Sequence, residues 1–260
     1  MAGLGDVAFC AFWDSVRSVR NFILTISHHP GGVDHPIFTE SIRRIRQALA
    51  DPAAPEPWRQ AAQRWPHSPE RDVLERCIHS SGDLAIAPEL VIAPPRAARL
   101  GMQALAAGAV ILTDTAMAAA AVAPMARRSL GNPVRCLLDW APDQAPEGDT
   151  RSAAAVKAAW AELTAAGQPA PVVLVGSAPT ALERLLDLVP GPDGALPVPS
   201  LVIGMPVGFV GVAESKRRLA ESGLAQIRLE GSKGGAGLVA AACNALLRAA
   251  WLQAASSPRA

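Results

Sequence analysis

From Leu90 to the C-terminus the chain alternates short runs of β-branched and aliphatic residues with longer alanine-rich stretches, and this alternation leaves few folds open. The runs are LVIA (Leu90–Ala93), AVILTD (Ala109–Asp114), VRCLLDW (Val134–Trp140), VVLVG (Val172–Gly176), SLVIG (Ser200–Gly204) and QIRLE (Gln226–Glu230). Their apolar residues are mostly consecutive, as in strands whose two faces are both covered. The stretches between them read as helices at Arg96–Ala107, Thr150–Ala165, Pro179–Leu188, Ala213–Ser222 and Ala236–Leu252. Buried strands separated by helices predict an α/β fold, a three-layer α/β/α sandwich around a mostly parallel, doubly wound sheet.

The N-terminal third reads differently. In PIFTESIRRIRQAL (Pro36–Leu49), Ile42, Ile45 and Leu49 recur at helical spacing with Arg43, Arg44 and Arg46 between them. The following DPAAPEPWRQAAQRWPHSP is rich in proline and reads as a linker or surface insertion. A second helix, PERDVLERCIHSSG, ends near Gly82 and places His79 at its C-terminus, where the helix dipole is expected to raise the proton affinity of the imidazole. Residues 1–35 are expected to form an N-terminal extension and 36–252 one domain, large enough at 260 residues and 50% apolar content to bury a substantial core.

Several function classes recede on composition. A net charge of +1 gives no general attraction to nucleic acid or to membranes. Asp14, Arg17 and Arg20 interrupt the apolar AFCAFWDSVRSVRNFILTI, which falls short of the roughly 18 apolar residues of a membrane span. No basic segment precedes it, so it reads as an amphipathic packing helix or a partly ordered extension rather than a secretory signal or an anchor, and the expected compartment is the cytoplasm. Cys10, Cys77, Cys136 and Cys243 are scattered without a CxxC pair, which points to free, mostly buried thiols. No histidine pair has metal spacing, and no metal is expected.

Chemistry concentrates in a few places. LVIGMPVGFVGVAESK (Leu201–Lys216) is a buried strand entering a glycine-containing loop, at the strand end where open α/β sheets bind ligands. RLEGSKGGAGLVAAACNAL joins a strand to a helix through Gly231–Gly237, so Lys233 and the Gly234–Gly235 amides form a candidate anion site. It matches neither the phosphate-loop nor the dinucleotide pattern, and an organic carboxylate fits it better than a nucleotide. Arg151 sits in the first turn of a helix, where the dipole disfavours a cation; it faces a ligand or is solvated. Asp114 ends a strand and either orients a ligand or caps the next turn. His79 is either a satisfied structural histidine or a catalytic one.

These segments carry a resemblance. GMPVGFVGVAESK resembles the GMPVGFVGAAESK signature of the precorrin-8X methylmutases, enzymes of corrin-ring (vitamin B12) biosynthesis. RCIHSSG (Arg76–Gly82) is similar to that family's RxIHxxG, and QALAAGAVILTDTAM (Gln103–Met117) to its AALAAGAPILCDxxM. TRSAAA is unchanged at Thr150–Ala155, GSAPTALERLLD (Gly176–Asp187) is similar to GNAPTALFRLLE, and GSKGGAGLVAAACNAL to GRxGGSAM…AAxNAL. The resemblance runs in order from about Ser41 to Leu247. It implies a dimeric isomerase, without metal or other cofactor, that moves a methyl group between adjacent macrocycle carbons, from C11 to C12. It implies His79 as the proton donor and acceptor, with Ser41, Arg76 and Arg151 in the substrate pocket. A corrin precursor bears carboxylates around a flat apolar ring, so basic groups (Arg76, Arg151, Lys233, the Gly234 and Gly235 amides) and apolar walls (Met205, Val207, Phe209) suit it, with Asp114 beside them. A corrinoid carrier that keeps the pocket without turnover is the alternative, and a nucleotide-dependent enzyme a third.

Overall fold

A computed structural model describes residues 34–66, 68–164, 169–188 and 197–256. Apart from 34 and 35, the expected N-terminal extension lies outside the described residues, as do Cys10, His28, His29 and His67. The chain divides between Arg44 and Ile45 into two compact units. The division falls within helix α1 (Pro36–Ala50). In the N-terminal unit, Glu40 accepts from Arg43 and Arg44 on the same helix, and these two partners hold its carboxyl down at about 2.

The second unit is built on six short strands: β1 (Leu90–Ala93), β2 (Ile111–Thr113), β3 (Val134–Cys136), β4 (Val172–Val175), β5 (Leu201–Gly204) and β6 (Gln226–Leu229). Their order is β1-β6-β5-β4-β2-β3, parallel throughout except for β1, which pairs antiparallel with β6. The parallel strands wind one way from β2 to β3 and the other way from β4 through β6, so winding reverses between β2 and β4. In such sheets that reversal opens a crevice at the carboxyl ends of the strands.

Helices α2 (Glu56–Arg64), α3 (Pro69–Ser81), α4 (Ala97–Ala106), α5 (Ala116–Arg128), α6 (Arg151–Leu163), α7 (Pro179–Leu188), α8 (Val212–Glu221) and α9 (Ala236–Ser256) follow in chain order. Strand side chains alternate between two cores. Val173, Val175 and Val202 pack with Trp160, Leu182 and Leu219 from α6, α7 and α8. On the other face α9 packs on β4 and β5 and against α3, α4 and α5. By length and composition α9 could cross a membrane, but 56% of its apolar window is buried inside the domain, as suits a central core helix.

The expected α/β sandwich is present, with three local differences. The stretch read as a linker folds into α2, because its prolines stand at the helix start (Pro55, Pro57) and beyond its end (Pro66), where they are tolerated. The strand expected over Val134–Trp140 stops at Cys136 and turns into a 3-10 helix, Leu137–Trp140. There Asp139 accepts from the Cys136 amide and from Arg135, whose guanidinium lies 4.3 Å from the Trp140 ring. Helix α5 was not expected: a run of alanines with Pro124 inside it carries little periodicity, and the Thr115 hydroxyl, accepting from Ala118, starts it.

Candidate active site

Helix α3 buries Val73, Leu74, Cys77 and Ile78 and lies antiparallel to α9, with Cys77 Sγ 3.8 Å from Leu238 O at one end and Asp72 3.9 Å from Arg248 at the other. Gly82 ends it in the left-handed region (φ 67°), its amide donating to Ile78 O at 2.8 Å, a conformation that favours glycine. His79 therefore stands in the last turn, exposed, beside the start of α9 and one turn from half-buried Arg76. The expected rise in its proton affinity is not found. Partial burial of the ring and the positive charge of Arg76 both disfavour the imidazolium and lower its pKa below the usual 6.5.

Three loops at the carboxyl ends of β4, β5 and β6 are bound to one another through their backbones. Met205 donates to Val175 O (2.9 Å), Val207 to Gly176 O (3.2 Å), Gly235 to Met205 O (2.8 Å) and Gly208 to Ser232 O (3.1 Å). Gly234 packs so closely that a Cβ there would lie 1.9 Å from Met205 O. The Gly235 amide is thus committed to a carbonyl. Met205 is fully buried, so it supplies core and backbone rather than a pocket wall. The exposed apolar side chains lie elsewhere on these connections: Val207, Phe209 (95% exposed) and Val210 after β5, and Met117 after β2.

Lys233, expected to face an anion, pairs with Asp83 at 2.9 Å and Glu89 at 3.5 Å. The pairing raises its pKa and lowers that of Asp83, and it ties the glycine-rich loop to the segment that follows His79. The residue missed in the sequence is Lys216. Fully buried, its ammonium donates to Gly231 O (2.8 Å) and Lys233 O (2.7 Å) beneath that loop, and burial lowers its pKa to about 8. Its place inside the AESK motif was the available signal.

Asp114 stands at the reversal between β2 and β4. One of its oxygens accepts from the Gly176, Ser177 and Ala178 amides at 3.0, 2.6 and 2.8 Å, in the turn leading into α7 rather than in the turn that follows its own strand, and its other oxygen is buried without a hydrogen-bond partner among the described residues. Arg151 opens α6, exposed, with Nε donating to Pro142 O at 2.8 Å. The Thr150 hydroxyl caps that helix and lies 2.8 Å from the Thr180 hydroxyl at the start of α7. Ser41 belongs to the N-terminal unit. Among the described residues no group of three or more His, Cys, Asp or Glu is placed to hold a metal ion.

The model of the family described as precorrin-8X methylmutase matches residues 36–249. A precorrin-8X methylmutase of Sinorhizobium sp. is 43% identical over 184 residues, 69% of this chain and 83% of that one. A cobalt-precorrin-8 methylmutase of Synechocystis sp. is 32% identical over 235 residues, 84% of this chain and 97% of that one. Among solved structures, the precorrin-8X methylmutase from Thermus thermophilus superposes with a TM-score of 0.66 at 34% identity, over 85% of this chain and 98% of that one.

Proposed function

Because the chain belongs to the precorrin-8X methylmutase family, isomerases of cobalamin biosynthesis, we propose that His79 is the proton-transfer group of its methyl migration on a precorrin-8X-type corrinoid. The observation that carries this is the position of His79: an exposed imidazole at the capped end of a packed helix, where partial burial of the ring and the neighbouring Arg76 both favour its neutral form. A neutral imidazole accepts a proton, and one held near the substrate returns it within the same turnover. The reaction is an isomerisation: the methyl group leaves C11 and bonds to C12, and the net proton count is unchanged.

Arg76 and Arg151 bind substrate carboxylates, and Val207, Phe209 and Met117 offer apolar surface to the ring. Lys233, Gly234, Gly235, Met205 and Asp114 act one step back, by holding the loops that present those groups. Residues 36–252 form the functional domain, which accords with the family match over 36–249. The protein is a cytoplasmic homodimer; the exposed Phe209 and Val210 support an association surface on the β5 loop.

The test is conversion of precorrin-8X, and of its cobalt form, to hydrogenobyrinic or cobyrinic acid by the purified protein. His79→Ala is expected to lower turnover at least about 100-fold while corrinoid binding persists. A wild-type protein that binds corrinoid and turns over neither form would favour the carrier reading, against which the methylmutase relatives now stand.

A further inference from the structure

Helix α2 and the chain ends around it enclose, with α1 and α3, a cavity of ≈ 500 Å³ lined by Arg46, Arg59 and Arg71 together with Leu49, Pro52 and Pro66. Its volume falls in the range of small-molecule sites, about 300–1,000 Å³. Glu75, 1% exposed, balances part of the charge: Arg46 reaches its carboxylate through Nε and Nη2 at 2.8 Å each, and Arg71 through Nε at 2.5 Å. Asp72, 3.9 Å from Arg248, also acts electrostatically on Arg46, and Glu56 accepts from Gln60. Three guanidinium groups against Glu75 and the more distant Asp72 leave the cavity positive.

Arg59 is the telling residue. It is half-buried, its Nε donates to Ala54 O at 3.2 Å, and its Nη groups have no protein partner among the described residues. A guanidinium offers five N–H donors in a planar fork suited to an oxyanion, so unfilled donors on a cavity wall indicate what the cavity takes. Along α3, Arg71 and His79 are eight residues and therefore about 12 Å apart, which separates this cavity from the methylmutase site.

We propose that this cavity is a second binding site, for a small organic anion whose oxyanion head is held by Arg59 and Arg46 and whose apolar body lies on Leu49, Pro52 and Pro66. Titration calorimetry on the full chain with inorganic phosphate, phenyl phosphate and phenylacetate tests it. Phenyl phosphate is expected to bind at least about tenfold more tightly than inorganic phosphate, because only it reaches the apolar lining. Binding of phenylacetate at comparable strength would identify a carboxylate head, and its failure beside phenyl phosphate a phosphoryl head. Arg59→Gln should weaken binding at least about tenfold, the equivalent of about 1.4 kcal/mol, and Arg59→Lys, which keeps the charge, should weaken it less. His79→Ala should leave it unchanged. The proposal is overturned if none of the probes binds at millimolar concentration, if Arg59→Gln binds as the wild type does, or if His79→Ala abolishes binding.

Discussion

Replacing Gly234 by alanine tests whether the loops at the carboxyl edge form one packed unit. The added Cβ would meet Met205 O at 1.9 Å, Met205 C at 2.7 Å and Pro206 O at 2.8 Å, all backbone atoms that cannot swing aside as a side chain would. Restoring even a 3.0 Å contact requires the loops to separate by about 1 Å, in an interior packed as densely as an organic crystal. That separation breaks the Gly235–Met205 hydrogen bond (2.8 Å) and strains the Gly208–Ser232 bond (3.1 Å). A lost hydrogen bond costs about 1 kcal/mol and overpacking about 1–3 kcal/mol, together about 2–4 kcal/mol. At about 2–4 °C per kcal/mol for a domain of this size, Tm should fall by roughly 5–15 °C in scanning calorimetry. Gly237→Ala is the internal control. Nothing lies within 4 Å of its Cβ position and it sits in the first turn of α9, so alanine there should be neutral or stabilise by up to about 1 kcal/mol. Wild-type stability in Gly234→Ala, or an equal loss in Gly237→Ala, would refute the close-packed account of this loop.

Four further outcomes follow from the same structure. Folding lowers the pKa of Lys216 from 10.5 to about 8, so between those values the unfolded chain holds the extra proton and stability rises with pH. Urea unfolding at pH 8 and pH 10 should show that rise in the wild type and a smaller one in Lys216→Met. Burial and Arg76 together lower the pKa of His79, so the acid limb of kcat/KM should lie below 6.5 and move upward in part in Arg76→Gln, as pH–rate profiles of the two proteins would show. Asp114→Ala leaves three amides of the β4–α7 turn without their acceptor and should destabilise by about 3 kcal/mol or more in urea titrations; Asp114→Asn, which keeps one acceptor, should lose less. Burial pushes the Cys77 and Cys243 thiols up to about 12, so at pH 8 a disulfide reagent should label them only after unfolding, as peptide mass spectrometry would report.

The layered fold was legible because each strand is a short apolar run buried on both faces, and VVLV and LVIG announce themselves without any partner. What escaped depended on contacts between distant segments or on patterns that cancel. The 3-10 turn after β3 follows from where Asp139 and Trp140 reach, and α2 was hidden because proline marks helix ends and linkers alike. The same limit governed the site. His79 could be placed from the Gly82 stop, but its electrostatics could not: the dipole argument weighed one influence, and burial with Arg76 outweighed it.

The charged residues of the motif segments divide into two groups that sequence spacing cannot separate. Asp114 (through one of its two oxygens), Lys216 and Lys233 are each engaged within the protein, by amides, by carbonyls and by carboxylates respectively. All three lie where loops from different strands must be held at fixed distance, and each replaces a contact that apolar packing could not supply so near solvent. Arg151 and His79 remain exposed at the same edge. A motif such as GMPVGFVGVAESK therefore reports mostly on loop construction: its lysine holds the neighbouring loop, its Met205 carbonyl is met closely by Gly234, and its exposed large apolar side chains are Val207, Phe209 and Val210. Substitutions in the first group should alter stability and substrate affinity together, whereas those at His79 should alter turnover alone. That contrast separates the residues that build the carboxyl edge from the one proposed to do its chemistry.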